Sequence, residues 1–525
     1  MKHLLFILSL CIALPGFAQT KKFTFKAGSA YELPRKFQDL CFFGNTKNGI
    51  INLAMKKGEL NILRFDPVTL EKTYENNIEL PDATEYFSSE IPLEFGGNHI
   101  WIHSDWNREL EKEYLFYDKI DIKTGNFLEK YVKMIESTKL LGTSGSRTDF
   151  RGTGKYLFRT DADGKKLLVG SRFYPKEKNN KKNYDVVSLS VFDGSMKKLW
   201  NMEYTIPTTE QVTDIIDYSV DSKGNAYLVT RVFSTDKKYY KDPQTKKPGY
   251  YYEVSKFSKD AKSPQVTRIE LGDYYINGAN IMENTAHEMV VCGTYRINSN
   301  LTGTNGVFVV KIDNQGNPKT DKDGLYPFPS SELAKFEPSK TRRKIEKNDD
   351  YEPPLMTIRC IFPGLDGSIF IACEQFQSQT VDDKSYHHTF YYFEDIYCMK
   401  IDKKGNMDWF TKIPKKQLGT DNYETLGFIP MSDKDNYYFL YIDNKKNIAL
   451  AEDDEPKEHI NGYGGNIFAA KIDAKGNLTR EIVFNPFEEK MMILPTTFTT
   501  FGENKFLGRA MLFKGDFKPI LITLE

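Results

Sequence analysis

The stretch that decides the fold is "IFAAKIDAKGNLTREIVF", residues 467–484. From Ile467 to Asp473 the side chains alternate between two sets with a period of two, which predicts a β-strand. "DAKGN" is typical of a tight turn, because Asp can hydrogen-bond nearby backbone and Gly adopts a positive φ without steric cost. "LTREIVF" then resumes an extended pattern. The stretch predicts a β-hairpin, and turn chemistry explains Asp473 better than a role as metal ligand.

This phrase recurs along the chain as "IYCMKIDKKGNMDWFTKIP" from Ile396, "VFVVKIDNQGNPKT" from Val307 and "YDKIDIKTGNFLEKYVK" from Tyr117. Hairpins of a second kind, with a strongly apolar second strand, alternate with these copies. They cover residues 92–106, 158–173, 217–233, 280–295, 359–376 and 427–443. One hairpin of each kind makes a four-stranded unit of about 45 to 65 residues, the size of a propeller blade with loop insertions.

The units predict an all-β protein, a β-propeller with eight four-stranded blades. They cover residues 37–80, 89–135, 155–206, 212–271, 275–328, 353–415, 423–484 and 491–525. The last unit has material for only three strands, and "KKFTFKAG" from Lys21 to Gly28 would complete it, closing the ring from N- to C-terminus and hiding a strand edge. Seven blades is the alternative. A β-sandwich array or a β-helix would not produce two alternating hairpin types.

The first residues predict export. "LLFILSLCIAL" is an apolar run too short to span a bilayer, and the following "PGFAQ" favours signal-peptide cleavage after Ala18. Lipid attachment at Cys11 is the alternative, although Leu10 stands where a small residue is wanted. We therefore expect a signal peptide over 1–18 and a single propeller domain over 19–525, periplasmic or extracellular and without a transmembrane segment.

The composition excludes some classes of partner. Lysine plus arginine and aspartate plus glutamate number 72 each, so no global field attracts nucleic acid or an anionic membrane. With 31 Tyr, 37 Phe and only six Cys, aromatic strand packing is favoured over a disulfide scaffold. The four Trp occupy no regular position in the blades, which argues against a quinoprotein, and we expect no cofactor.

The "KID..GN" hairpins resemble the outer strands of blade repeats in uncharacterised secreted propeller proteins of Bacteroidetes-like bacteria. The resemblance covers nearly the whole chain after the leader. It implies fold and export. Because its motif is a turn motif, it implies no catalytic residue.

The long insertions are predicted to share one face. If the strands are labelled A to D outward from the channel, the A–B and C–D turns lie on one face, and the B–C and D–A connections lie on the other. Short turns occupy the first face. The insertions of the second are 174–184, 234–252, 296–306, 330–354, 378–392 and 451–465. Insertions of repeat folds gather on the binding face, so we expect a protein, peptide or glycan ligand there; tolerated, solvated loops are the alternative.

Candidate ligand-binding residues follow from this face. At the loop-facing end of strand B, aligned blades carry Arg172, Arg231 and Arg509, with Tyr295 and Gln375 at matching positions. The guanidinium groups could clamp a carboxylate or sulfate, or could pair with acids of neighbouring blades. The residues expected on the same face as Arg172 and Arg231 are Trp106, Tyr239, Tyr240, Tyr250, Tyr386, His387 and His388.

A hydrolase or lyase with a site at the channel mouth is the alternative function. His387 and His388 beside Asp382 are the best acid–base or metal candidates. His99 and His103 would stand roughly 13 Å apart on a strand, too far for one ion. "DADGKK" at 161–166 lacks the twelfth-position glutamate of an EF-hand. We find no Gly-x-Ser-x-Gly, Walker, His-Glu-x-x-His or Cys-x-x-Cys motif, and therefore name no catalytic residue and no metal site.

Cys360 and Cys373 flank the hairpin "CIFPGLDGSIFIAC". A two-residue turn at Asp366-Gly367 would place the two cysteines opposite each other, within disulfide range. A four-residue loop would instead put Cys360 opposite Ile371 and leave buried free thiols, which is the favoured expectation.

Overall fold

The computed structural model describes residues 23–143, 154–175, 177, 182–238, 240–299, 303–347, 351, 353–383, 386–420, 426–433, 436–461, 464–494, 497–502, 504–513 and 515–524, with backbone only at 382, 383, 386 and 387. Within these ranges the strands form eight sheets, each built mainly from four antiparallel strands in sequence order. The predicted eight-bladed propeller is confirmed.

Each blade has strands A to D, and blades 1 to 8 follow the order of the chain. From blade 1 to blade 8, the A strands, nearest the channel, are Gln38–Asn45, Ser88–Phe95, Tyr156–Thr160, Thr213–Val220, Tyr275–Glu283, Met356–Pro363, Ile429–Asp433, and Met491–Ile493 with Thr499–Thr500. The B strands are Gly49–Lys56, Asn98–Asn107, Lys166–Arg172, Ala226–Phe233, Met289–Arg296, Ile369–Asp383, Asn436–Asp443 and Lys505–Leu512.

The outer strands follow the same order. The C strands are Glu59–Phe65, Lys112–Asp121, Tyr184–Asp193, Tyr250–Phe257, Gly306–Ile312, Tyr386–Ile401, Asn466–Ile472 and Phe517–Leu524. The D strands are Lys72–Glu79, Asn126–Ser137, Lys198–Thr209, Gln265–Ile269, Pro318–Lys319 with Leu325–Pro327, Met407–Ile413, Leu478–Phe484 and Phe23–Ala27. The insertions contain two further strands, Gln417–Thr420 and His459–Ile460, two α-helices, Ser330–Leu333 and Ser339–Lys347, and a 3-10 helix, Lys445–Ala449.

The ring closes between the two ends of the chain, as predicted. The strand Phe23–Ala27 pairs antiparallel with Phe517–Leu524, placing Phe23 opposite Leu524, and so becomes strand D of blade 8. Phe25 stacks on Phe484 of blade 7, with ring centroids 4.2 Å apart. The N-terminal strand therefore covers the sheet edge of blade 8 and also packs on the neighbouring blade.

The core lies between the blades. Eight clusters of buried apolar residues occur among the described residues, and each joins successive blades. Phe370 of blade 6 stacks on Tyr437 of blade 7 with ring centroids 3.7 Å apart. One cluster combines Ile50 of blade 1 with Leu507 of blade 8. The apolar interfaces therefore run round the whole ring.

The repeated turn serves the interfaces between blades. In "DAKGN", the Asp473 carboxylate accepts the backbone N–H groups of Lys475 and Asn477, and Gly476 has a φ of +84°. The carbonyl of Gly476 accepts a bond from the Thr411 hydroxyl of blade 6, at 2.7 Å. Thr267 of blade 4 donates in the same way to the Gly316 carbonyl of blade 5. In these two copies of the phrase, the turn therefore offers a carbonyl to the preceding blade.

Cys360 and Cys373 form no disulfide; the cysteines of the described part of the chain are free. A five-residue turn, 364–368, closes their hairpin at Pro363 opposite Ile369, and a bulge follows between Ile358 and Cys360. Cys360 consequently lies opposite Ala372. The two-residue-turn register is wrong, and so is the four-residue one, because the loop has five residues, three more than the first and one more than the second.

Candidate functional site

The connections divide the propeller into two unlike faces. Among the described strands, no A–B or C–D connection is longer than seven residues. The longest B–C connection covers 444–465, and the longest D–A connection covers 328–355 and contains both helices. Because strands alternate in direction, the B–C and D–A connections emerge together, and we call this side the insertion face.

Three connections build a small sheet above blades 6 and 7, which we call the accessory sheet. Strands B and C of blade 6 continue past the blade as a ribbon that ends at Asp383 and Tyr386. Gln417–Thr420 pairs with the ribbon, and His459–Ile460 pairs in parallel with Gln417–Thr420. The segment 378–392, interpreted from sequence as a loop, is therefore mostly strand. Its Thr, Val, Phe and Tyr residues, which are enriched in strands, were the signal for this.

The accessory sheet has one buried and one outward face. Phe376 and Tyr391 pack on the apolar cluster of blades 7 and 8. Successive side chains of a strand point to opposite faces of a sheet, so the residues that alternate with Phe376 and Tyr391 lie on the outward face. These are Val381, 44% exposed, Ile460, 50% exposed, and the half-buried Phe390, Tyr392 and Leu418. None of these five was singled out from the sequence.

A buried ionic cluster holds the base of this sheet. Lys415 lies 2.8 Å from Glu374, which also pairs with Arg359 at 2.9 Å. The Lys415 ammonium donates to Gln417 Oε1, and Gln417 Nε2 donates to the Ile442 carbonyl at 2.6 Å. Each charge is thus paired, which is the condition for placing it in the interior. The cluster positions the start of Gln417–Thr420 against both blades.

Arg231 lies in the most elaborate side-chain cluster among the predicted residues. Its guanidinium lies over the rings of Phe233, Tyr240 and Tyr250, at 5.3, 5.4 and 5.8 Å from their centroids. It also donates a hydrogen bond of 2.7 Å to the Asp214 carboxylate. The Lys238 ammonium donates a second hydrogen bond of 2.7 Å to the same carboxylate. Burial opposes ionisation of Asp214, but the bonds from Lys238 and Arg231 hold its pKa below the usual value.

The other predicted arginines are also paired with acids. Arg172 Nε lies 2.6 Å from Asp185, while its side chain remains 34% exposed. Arg509 pairs with Asp39 of blade 1. Arg172 and Arg231 therefore pair within their own blades and Arg509 with the next one. The structure brings Arg231, Tyr240 and Tyr250 together, while Arg172 and Arg509 lie on other blades.

The remaining predicted residues are dispersed. Tyr295 is buried in strand B of blade 5 and packs edge-on against Tyr274. Trp106 is half-buried near the loop end of strand B of blade 2, and His388 is exposed, opposite Val381. Tyr239 and the side chains of Tyr386 and His387 lie outside the described residues.

A cavity of about 330 Å³ opens in the channel between the A strands of blades 3 to 6. Three carboxylates line it, and each is engaged in bonds within the fold. Asp161 accepts backbone N–H groups of its own turn, and Asp217 pairs with Arg159 at 2.9 Å. Glu283 accepts from Ser222 through both the backbone N–H and the hydroxyl. No two of these groups form a general acid–base pair in this arrangement.

Histidines and acidic residues in the described ranges do not assemble into a metal site. No group of three or more His, Cys, Asp or Glu side chains in this part of the chain could hold a metal ion. His103 instead lies buried beside Asp118, with Nε2 3.3 Å from the carboxylate.

No described helix is both long and apolar enough to cross a bilayer.

Comparison with known proteins identifies no family. The chain matches no protein-family profile and no curated protein sequence. Prolyl oligopeptidase B from Galerina marginata is similar in structure with a TM-score of 0.40 and 8% identity, over 95% of this chain and 55% of that one. The chain therefore spans about half the length of that enzyme.

Two propeller domains are also similar. The WD40 domain of SCAP from fission yeast has a TM-score of 0.39 and 7% identity, over 96% of this chain and 98% of that one. The β-propeller domain of the Trilobed protease from Pyrococcus furiosus has a TM-score of 0.30 and 9% identity, over 72% and 97%. Similarities this distant say nothing about activity.

Proposed function

We propose that this protein is an exported, non-catalytic β-propeller that binds a protein, peptide or glycan ligand on its insertion face. The observation that carries the proposal is the outward face of the accessory sheet. Export rests on residues 1–18, and a secreted product beginning at Gln19 would agree with it.

The accessory sheet supports binding for an energetic reason. Val381 and Ile460 present apolar side chains to solvent on the same face of the sheet as Phe390 and Tyr392. Covering apolar surface contributes roughly 25 cal/mol per Å², and exposed apolar patches on rigid elements mark interaction sites. The paired strands and the ionic cluster beneath hold this patch in one arrangement, so a ligand need not order it.

The enzyme alternative has weaker support. A hydrolase or lyase at the channel needs a carboxylate or histidine free to exchange a proton with substrate. The three carboxylates of the channel cavity are held by backbone and side-chain donors. These bonds fit a structural role for each carboxylate.

The test compares the two faces of the propeller. Peptide and glycan arrays are probed with the wild-type protein and with the double variant Val381→Asp, Ile460→Asp. Leu365→Asp is the matched control, because Leu365 is 84% exposed on the A–B turn of blade 6, on the opposite face. We expect the double variant to lose array ligands at least tenfold and the control to keep them.

Two results would contradict the proposal. One is loss of ligands by Leu365→Asp with the double variant unchanged. The other is cleavage of a bound peptide or glycan during prolonged incubation, detected by mass spectrometry. Circular dichroism and the unfolding midpoint of each variant establish that the fold is intact.

A further inference from the structure

A second surface of the insertion face runs across blades 2 to 4, and its segments are joined by hydrogen bonds. The backbone N–H of Tyr174 donates to the Lys139 carbonyl at 2.9 Å. The N–H of Leu141 donates to the Arg172 carbonyl at 2.7 Å. The D–A connection of blade 2 therefore lies along the B–C connection of blade 3 as an extension of its sheet.

The same surface continues into blade 4. The N–H of Glu210 donates to the Asn183 carbonyl at 2.9 Å. The neighbouring Gln211 side chain donates to the Asp236 carbonyl at 2.8 Å. We call this surface the basic ridge, and it comprises residues 139–143, 172–175, 182–184, 210–211, 234–238 and 240–249.

The charge of the basic ridge departs from that of the chain. The whole sequence carries 72 basic and 72 acidic residues, whereas the ridge carries eight lysines and arginines and three acids, Glu210, Asp236 and Asp242. On the same face, the described part of the blade 7 connection, 444–461 with 464–465, carries three lysines and five acids. The positive charge is therefore concentrated in one sector of the face.

Several of these cations are directed to solvent. The exposed ones are Lys139, Lys182, Lys237, Lys241, Lys246 and Lys247. Lys247 is paired with Asp273 at 2.9 Å. Asp242 is occupied within its own turn, where it accepts the N–H groups of Gln244 and Thr245. Local acids thus leave a net positive surface.

Tyrosine rings lie between the cations. Lys139 Nζ lies 4.8 Å from the centroid of the Tyr174 ring, and Tyr184 is 53% exposed. Tyr240 packs against Phe233 at the far end of the ridge. A tyrosine offers a flat apolar face with a polar edge, which suits the apolar face of a sugar ring. Lysines at intervals suit anionic groups repeated along a polymer.

We propose that the basic ridge binds an acidic polysaccharide, carboxylated or sulfated, laid across blades 2 to 4. This rests on the proposed function, because it names the ligand class for one sector of the insertion face. Arg172 and Arg231 are held by Asp185 and Asp214, so the exposed lysines are the cations that would meet the polymer.

The probes are polygalacturonate, dextran sulfate and neutral dextran, with polyglutamate and oligo(dT) as non-glycan polyanions. Binding is measured by calorimetry and by salt titration. The variant is Lys237→Glu, Lys241→Glu, Lys246→Glu. The matched control is Lys403→Glu, Lys404→Glu, Lys475→Glu, which makes the same charge change at exposed C–D turns of the opposite face.

We expect binding of at least one acidic polysaccharide and not of dextran, with affinity falling as salt rises. The ridge variant should lose at least tenfold in affinity and the control less than twofold. Tyr184→Ala should weaken polysaccharide binding several-fold and leave any polyglutamate binding unchanged, because only the sugar offers a ring to stack.

The proposal is overturned if polyglutamate or oligo(dT) binds as tightly as both acidic polysaccharides, since the surface would then be a general polyanion site. Equal loss in the ridge variant and the control also overturns it. The experiments distinguish failure of the polysaccharide proposal from failure of the proposed ligand-binding function. Array ligands lost by Val381→Asp, Ile460→Asp but kept by the ridge variant would leave the function standing and exclude the ridge.

Discussion

Asp473 and Asp443 each end an apolar strand, yet their surroundings give them opposite electrostatic properties. The bond from Asn477, together with backbone N–H groups, holds the pKa of Asp473 below its usual value. Asp443 is fully buried and accepts from Asn447 at 3.0 Å. Burial raises its pKa to about 7 despite these bonds. A position at the end of an apolar strand therefore does not determine how an aspartate titrates.

The pH dependence of stability should differ between Asp443→Asn and Asp473→Asn. The folded protein keeps the Asp443 proton up to about pH 7, while the unfolded chain loses it near the usual value. Stability from this group therefore falls as pH rises across that window. We expect the free energy of unfolding of Asp443→Asn to increase relative to that of the wild type as pH rises from about 4 to about 7. Above about pH 7 this difference should stay constant.

Asp473→Asn is the matched control with the opposite sign. The pKa of Asp473 is lower in the folded protein than in the unfolded chain. Its contribution to folding stability is therefore fully present at pH values above the unfolded-state pKa, and it is lost as the pH falls through the folded-state pKa. The deficit of Asp473→Asn should therefore shrink in acid. Urea unfolding midpoints of the wild type and the two variants, measured from pH 3 to 8, give both stability differences. If the two differences changed with pH in the same direction, this account would be contradicted.

At the scale of elements, the N-terminal strand has two roles. It pairs along strand C of blade 8, and it packs Phe23 edge-on against Tyr438, 6.0 Å away in blade 7. Without it, Phe517–Leu524 would become an exposed, largely apolar edge that invites association. The accessory sheet is similarly a composite, since its strands come from three connections and none could form alone.

Deletion of residues 23–27 should lower the unfolding midpoint and promote aggregation. Phe25→Ala should cost about 1 to 2 kcal/mol, because it removes a half-buried ring stacked on Phe484. A synthetic peptide of residues 21–28 should bind the deleted protein and raise its midpoint. A scrambled peptide is the control, and equal rescue by it would argue against specific strand closure.

At the scale of the molecule, stability comes from eight apolar interfaces arranged in a ring. The described cysteines are free, and burial raises the pKa of the Cys292 thiol to about 12. Cys373 and Cys398 are also buried, so these thiols act as small apolar side chains. The ring needs no covalent cross-link because the last interface joins blade 8 to blade 1.

Reducing agent should therefore leave the unfolding midpoint unchanged. A disulfide would contribute about 2 to 5 kcal/mol, which reduction would remove. Thiol titration of the denatured, unreduced protein lacking the leader should find Cys41, Cys292, Cys360, Cys373 and Cys398, five in all. Finding three thiols would show a bridge and contradict the structure.

The sequence by itself determined the β-propeller fold, the eight units and the closing strand, because each hairpin is predicted by patterns within a short stretch of residues. A period of two defines a strand, and Asp with Gly defines the turn that "DAKGN" adopts. The N-terminal strand was recognisable because the last unit lacked a partner. These features depend on neighbours within a few residues, or on counting repeats.

Only the tertiary structure decided what lies on the insertion face. Arg509 meets Asp39 because the ring brings the two ends of the chain together, and no local pattern encodes that pairing. Gln417 and His459 become strand partners although they belong to connections of different blades. The register of Cys360 likewise depended on the five-residue length of its turn. Insertions differ from blade to blade and lack a repeat, so their arrangement follows from packing against neighbours rather than from periodicity.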